Sequence, residues 1–296
     1  MRPTQRQPNI GFRCAKDGPT VDERIREKIA GFRGVVSLYA KNLNSGSEFG
    51  IGADERVRTA STIKLPILVA VAQAVAEGKS SWDEEIELKA EDKVAGSGVL
   101  HEFTPGRKFL VRDLANLMIV VSDNTATNLL IDRFSADYVN SVMEKLGFAS
   151  TRSNRKILGD GKNLKPNPSG LSEFGKKEEN KKFGIGVSTP REMGRLLELL
   201  YKGQIVSAEA SKGIIALMRR QQYMDGIGRH LDGFEVASKS GALDALRSDV
   251  GLVERKGEVY ALALTVDGMP RTDYSPDNAG NVLISELTAL LLEKLR

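Results

Sequence analysis

The spacing of apolar and polar positions changes twice along this chain. In "TVDERIREKIAGF" (20–32), Ile25, Ile29 and Phe32 recur at helical spacing behind Thr20, which is placed to cap a helix. In "GVVSLYAKNLNSGSEFGIGADERV" (34–57) the step shortens to two. Val35, Ser37 and Tyr39 alternate with Val36, Leu38 and Ala40, and "NSG" supplies a turn, so a β-hairpin is predicted. From 59 to about 220 the helical period returns, in runs such as "STIKLPILVAVAQAVAEG", "VRDLANLMIVVSD" and "TPREMGRLLELLYKG". Thr189 before Pro190 has the form of an N-cap followed by a first-turn proline. Beyond 230, "FEVASKSG" and "RSDVGLVERKGEVYALALTVDG" alternate again and turn at "RKGE". The chain closes on a helical run, "NAGNVLISELTALLLEKL".

The order is αβ, then a long helical stretch, then ββα, which is an α+β fold. Residues 20–58 and 221–296 are expected to build one antiparallel sheet flanked by the terminal helices. Residues 59–220 are expected to form an inserted all-α domain, and residues 1–19 a loose arm. The stretch 156–184 is rich in Gly, Pro, Asn and Lys and has little periodicity. It reads as a long surface loop with a solvated charged tail, Lys176 to Lys182. No internal repeat is present.

Composition narrows the choices. At 296 residues, 41% hydrophobic and 28% charged, the chain has length for a full core. Its net charge of +4 is spread among nearly as many acids as bases, which argues against a nucleic-acid partner. One cysteine, Cys14, forbids an internal disulfide. With only His101 and His230 beside it, a Cys/His metal site is not expected, nor is a cofactor. No apolar run is long enough to span a membrane, and the first twenty residues are too polar for a signal peptide.

The unusual chemistry starts at "TASTIKLPILV". Ser61 stands where a helix begins and Lys64 lies one turn on, on the same face, where the helix turns apolar. A lysine buried there is desolvated, loses its proton more readily, and can activate a neighbouring hydroxyl. On spacing alone an N-cap serine and a snorkelling lysine are the simpler reading. A second Ser-x-x-Lys, Ser153 to Lys156, lies in the loop region. Two further clusters change the balance. Ser122-Asp123-Asn124 sits between two apolar helical runs, and Lys239-Ser240-Gly241-Ala242 ends a strand. In this order the three match the set Ser-x-x-Lys, Ser-Asp-Asn and Lys-Ser/Thr-Gly.

On those motifs, and on "GSGVL" (96–100), "LMIVVSDNTATNLL" (117–130) and "STPREM" (188–193), the chain from about residue 20 to 296 resembles the class A β-lactamase family of penicillin-recognising serine hydrolases. The resemblance implies a β-lactamase/transpeptidase-like fold. It implies Ser61 as nucleophile, Lys64 as its proton acceptor, and an oxyanion hole from the backbone N–H groups of Ser61 and Ala242. Ser122 would pass a proton to the leaving nitrogen, and Asn124 would hold the substrate amide and Lys64. Lys239, Ser240 and Gly241 would line the substrate carboxylate site, and Lys239 would repel a proton on Lys64. Arg247 is either a further carboxylate anchor or an ordinary surface arginine.

One departure divides the function. The family's loop of the form Arg-x-Glu-x-x-Leu-Asn carries the glutamate that activates the deacylating water. Here the comparable stretch is "TRSNRKILGDGKN". Arg155 fits, but Ile157 stands at the glutamate and Gly161 at the asparagine. Asp160, Glu173, Glu178 and Glu179 are the loop's candidates for a substitute base. The expected activity is therefore a serine hydrolase acylated by β-lactams and turning over slowly. A D-Ala-D-Ala peptidase, a carboxylesterase or a penicillin-binding sensor are the alternatives. The partner is a small β-lactam or peptidoglycan-like substrate, and the resemblance implies a monomer. It also implies a periplasmic or secreted location, while a cytoplasmic one stays open because no leader is seen.

Overall fold

The structure, a computed structural model, describes residues 18–159 and 163–296. Most of the expected arm with Cys14, and Asp160 and Gly161, lie outside the described residues. Thr20 caps α1 (Val21–Ala30) reciprocally. Its hydroxyl accepts from Glu23 N at 3.3 Å while the Glu23 carboxylate accepts from Thr20 N at 2.7 Å. β1 (Val35–Asn42) and β2 (Glu48–Ile51) form the predicted hairpin. β3 (Val57–Arg58) leads through a 3₁₀ turn (Ala60–Ile63) into α2 (Lys64–Ala76). β4 (Glu85–Glu87) pairs with β5 (Lys108–Leu110), followed by α3 (Val111–Val120), α4 (Asn124–Phe134) and α5 (Ala136–Lys145). Next come β6 (Arg152–Ser153), α6 (Glu173–Lys176), α7 (Glu178–Lys181), β7 (Gly186–Ser188), α8 (Pro190–Tyr201) and α9 (Ala208–Met218). β8 (Glu235–Leu243), β9 (Leu246–Arg255), β10 (Glu258–Asp267) and α10 (Ala279–Lys294) complete the chain.

The main sheet is antiparallel, in the order β2-β1-β10-β9-β8. Both faces are covered, and β10 shows how. Tyr260, Leu262, Leu264 and Val266 pack with Ile25 of α1 and with Leu287 and Leu291 of α10. The alternate residues Val259, Ala261 and Ala263 join the core built on α2, α4 and α8. A strand buried on both faces is apolar at every position, so its period carries no inside-outside information. The centre of the helical part is α2, whose buried residues run from Lys64 to Ala74 with only Gln73 left out. A helix apolar all round belongs at the middle of a core. We propose the division of the chain already drawn, 20–58 with 221–296 and 59–220, on these two cores.

Two expectations need correction. Residues 59–220 are not purely helical. β6 and β7 lie there, and β7 pairs with β3, so a small sheet ties the inserted part to the outer part beside Thr59. Strands of two or three residues are too short to show a period. Nor is the described part of 156–184 all irregular, since it carries α6 and α7. Ser172 is fully buried, caps α6 and donates to Ser153 O at 2.9 Å. The Arg56 guanidinium stacks on Phe174 and Phe183, at 5.3 and 4.8 Å from the ring centroids. The charged tail does behave as expected: Lys176–Glu173 and Lys181–Glu178 are exposed i,i+3 pairs.

Candidate active site

The three motifs converge on one cleft of about 760 Å³, whose lining includes Ser61, Ser122, Asn124, Ser240, Ala242 and Arg247. That volume suits a small-molecule substrate. Ser61 is not a helix N-cap. It lies inside the 3₁₀ turn that precedes α2, with Ala60 before it at φ 46°. Ser122 stands at φ 53°. Left-handed backbone at residues with a Cβ costs about 1–3 kcal/mol each and persists where surrounding contacts enforce it. At Ser122 those contacts come from the adjacent Asp123. Its carboxylate accepts from Val99 N and Leu100 N, each at 2.7 Å, and from Ala126 N at 2.8 Å. It therefore caps α4 and holds "GSGVL" against the same helix end. Gly98, at φ +99°, is required there, since a Cβ would stand 2.2 Å from the Asp123 carboxylate.

Lys64 does not snorkel; its side chain is wholly buried. Its Nζ donates to Ser122 O at 2.6 Å, Ser122 Oγ at 3.1 Å and Asn124 Oδ1 at 3.0 Å. An ammonium has three donors, so a protonated Lys64 is fully used by Ser122 and Asn124. Burial is the main force pushing its pKa well below the ordinary lysine range; the Lys239 charge, expected to repel the proton, adds to this as the lesser cause. Lys239 is also wholly buried, and its Nζ donates to Ser122 Oγ at 3.1 Å and Ser240 O at 2.7 Å. Burial pushes Lys239 down to about 7, against the pull of Asp249. Asp249, on β9 opposite Ser240, is itself pushed up to about 7 by burial.

Ser122 Oγ thus accepts from two lysines. A hydroxyl has two lone pairs and one proton. Both lone pairs are taken, so its proton is directed elsewhere, and Ser122 lines the cleft. β8 is the last strand of the sheet, and Ser240 N–H points off its free edge. By strand alternation Ala242 N–H points the same way, into the cleft. Gly241 lets this strand close on Ser61: a Cβ there would lie 2.8 Å from Ser61 N and 2.9 Å from Thr59 O. Gly241→Ala should therefore push apart the N–H groups of Ser61 and Ala242. A displacement near 1 Å costs about 10²-fold in rate, and stopped-flow acylation should show a loss of that order with little change in melting temperature.

Arg247 is no surface arginine. It is 4% exposed, donates to Leu243 O and Leu246 O at 2.7 and 2.6 Å and to Asp273 O, and lies 4.9 Å from the Tyr274 ring centroid. The second Ser-x-x-Lys is not a site. Ser153 is buried on β6, while Lys156 pairs with Asp132. The described loop carboxylates do not line the cleft either: Glu173, Glu178 and Glu179 are exposed, the first two paired to lysines. Ile157 does line the cleft, 8% exposed. Its backbone is clamped by Asn128, which accepts from Ile157 N at 2.8 Å and donates to Ile157 O at 2.9 Å. Asn128 and Gln221 were missed in the sequence. Asn128 stood in plain view four residues after Asn124, while Gln221 belongs to no motif. Among the described residues no group of His, Cys, Asp and Glu is arranged to hold a metal, and no helix is long and apolar enough to cross a membrane.

Fold and cleft together define a β-lactamase/transpeptidase-like serine hydrolase. The chain belongs to the β-lactamase enzyme family, whose family model matches residues 20–295. It is similar to the β-lactamase regulatory protein BlaB of Streptomyces cacaoi, with 24% identity covering 88% of this chain and 92% of that one. Among solved structures, a β-lactamase from Sphaerobacter thermophilus superposes with a TM-score of 0.79 and 30% identity, over 93% of this chain and 96% of that one. A leucine-to-glutamate variant of PBP-A, solved as an acyl-enzyme with penicillin G, superposes with a TM-score of 0.77 and 27% identity, over 93% and 95%.

Proposed function

We propose that Ser61 is the nucleophile of a class A-type acyl-serine enzyme that takes acyl groups from β-lactams faster than it passes them to water. The observation that carries this reading is Ser122 Oγ held between two buried lysines. Neutral Lys64 keeps two N–H groups and gains a lone pair. It takes the Ser61 proton as Oγ bonds to the lactam carbonyl carbon, and the oxyanion is met by Ser61 N–H and Ala242 N–H. The C–N bond then breaks, Ser122 gives its proton to the nitrogen, and Lys64 restores it to Ser122. Asn124, Lys239, Ser240, Gly241 and Arg247 line the substrate's place. Hydrolysis of the acyl-enzyme needs a base for water, and Ile157 occupies the segment where the family's glutamate is expected.

A D-Ala-D-Ala peptidase is the second reading, favoured by the apolar Ile157 at that position. Its substrate has the same terminal carboxylate and scissile amide. A sensor that stays acylated is the third, in keeping with the name of the BlaB relative. A periplasmic or secreted monomer fits substrates met outside the cytoplasm.

The test is intact-protein mass against time after mixing with benzylpenicillin, with Ser61→Ala as control. An adduct on the wild type alone that lasts for hours supports slow turnover. Decay within seconds to minutes means a deacylating base stands elsewhere. No adduct, with cleavage of simple esters retained, replaces the β-lactam reading with an esterase. With Lys239 placed at the substrate carboxylate, acylation by benzylpenicillin should also fall as pH rises through about 7, where Lys239 loses its proton. Its methyl ester should lack this limb. Lys239 and Asp249 titrate as a coupled pair. Asp249→Asn removes the charge that supports protonated Lys239, so the limb should move to lower pH in a pH–rate profile.

A further inference from the structure

Gln221 follows α9 and has no place in the three motifs, yet it is 4% exposed and makes three contacts with the last of them and one with the neighbouring Ser238. Its Nε2 donates to Ser238 Oγ at 2.7 Å. Its Oε1 accepts from Ser240 N at 2.6 Å, Ser240 Oγ at 3.1 Å and Lys239 Nζ at 3.4 Å. The first and second of these contacts fix the carboxamide along the free edge of β8, as an edge strand requires. The other two are different in kind. The Ser240 hydroxyl and the Lys239 ammonium are the donors assigned above to the substrate carboxylate. With Ser122 Oγ and Ser240 O as the remaining Lys239 partners, the Gln221 contact completes that ammonium's three donors.

We infer that Gln221 is a specificity-determining residue of the cleft: its carboxamide oxygen shares the Ser240 hydroxyl and Lys239 with the carboxylate of the substrate. A carboxylate draws these donors away because hydrogen bonds to an ion are roughly twice as strong as those to a neutral amide. Ser240 Oγ turns about its Cα–Cβ bond to do so, while Ser240 N–H stays on Gln221 and the strand does not move. The neutral amide matters, since an anion at that position would repel the anionic substrate. The inference rests on the acyl-serine reading of the cleft.

The test compares acylation rates, by intact mass, for benzylpenicillin and its neutral methyl ester on wild type, Gln221→Glu and Gln221→Met. Glutamate has the same shape, and like charges set side by side repel. Gln221→Glu should slow benzylpenicillin by about 10²-fold and the ester by less than about tenfold. Equal slowing of both would leave Gln221 a support of the strand edge and overturn the inference. Gln221→Met, which keeps the test open if the glutamate variant does not fold, removes the competing acceptor. It should tighten apparent binding of both substrates by roughly five- to tenfold, the worth of one hydrogen bond. Weaker apparent binding of both would overturn the inference. If the wild type forms no adduct with either compound, the acyl-serine reading falls and takes this one with it.

Discussion

Ile157→Glu is expected to shorten the lifetime of the penicillin acyl-enzyme by about 10²-fold, the low end of what a positioned general base supplies. The side chain at 157 lines the cleft, and its backbone is held on both sides by the Asn128 amide. A glutamate there inherits that placement, so its carboxylate would be brought to the acyl group by contacts already made. Acylation should change little, because Ser61, Lys64 and Ser122 are untouched. The check is a pair of rates on one sample: adduct formation by stopped flow and adduct decay by mass. A lifetime within threefold of wild type would mean that water activation is not what limits turnover. A faster decay with a collapsed melting temperature would instead point to general loosening, since Ile157 is 8% exposed and its removal costs packing.

Lys64→Met is expected to slow acylation by about 10²–10⁴-fold, the span attributed to a general base, without lowering thermal stability. The two halves of this expectation come from one fact. Lys64 is wholly buried, and burial presses it toward the neutral form. A desolvated amine is a good base near neutrality, and for the same reason its charged form is a liability to the fold. Burying an ammonium that has no carboxylate partner is costly, so its loss offsets the loss of its hydrogen bonds. Met would leave the Ser122 carbonyl and Asn124 Oδ1 without this donor, although Asn124 Nδ2 still reaches Ala95 O at 3.2 Å. Acylation rates and a melting curve on the same variant decide the matter. An acylation rate within tenfold of wild type would remove Lys64 from the base's role. A large drop in melting temperature would make its main duty structural.

Local signals were legible where a residue acts on its near neighbours. Thr20 and Glu23 cap one another within four residues, and Thr189 with Pro190 starts α8. The hairpin of β1 and β2 needs only alternation and a turn. The Ser61, Ser122 and Lys239 motifs were legible for another reason: their order and residue types specify one chemistry. The short strands β3, β6 and β7 were not legible, because two or three residues carry no period. The short helices α6 and α7 were hidden as well. What anchors that part of the chain are single long-range contacts, from Arg56 to Phe174 and Phe183, that leave no mark on composition.

The sequence by itself thus determined the order of the long elements, the α+β class and the three motifs that meet in the cleft, since each depends on local periodicity or on residue spacing. Only the tertiary structure decided how those residues share their protons. Lys64 and Lys239 lie 175 positions apart in sequence, yet both donate to one hydroxyl at 3.1 Å. Whether a lysine is desolvated depends on everything packed around it. In the same way, Ile157 belongs to the cleft because Asn128 holds it there, and Gln221 reaches Ser240 because β8 ends the sheet. Burial, edge position and shared donors are properties of the packed chain, and they set which way a proton moves.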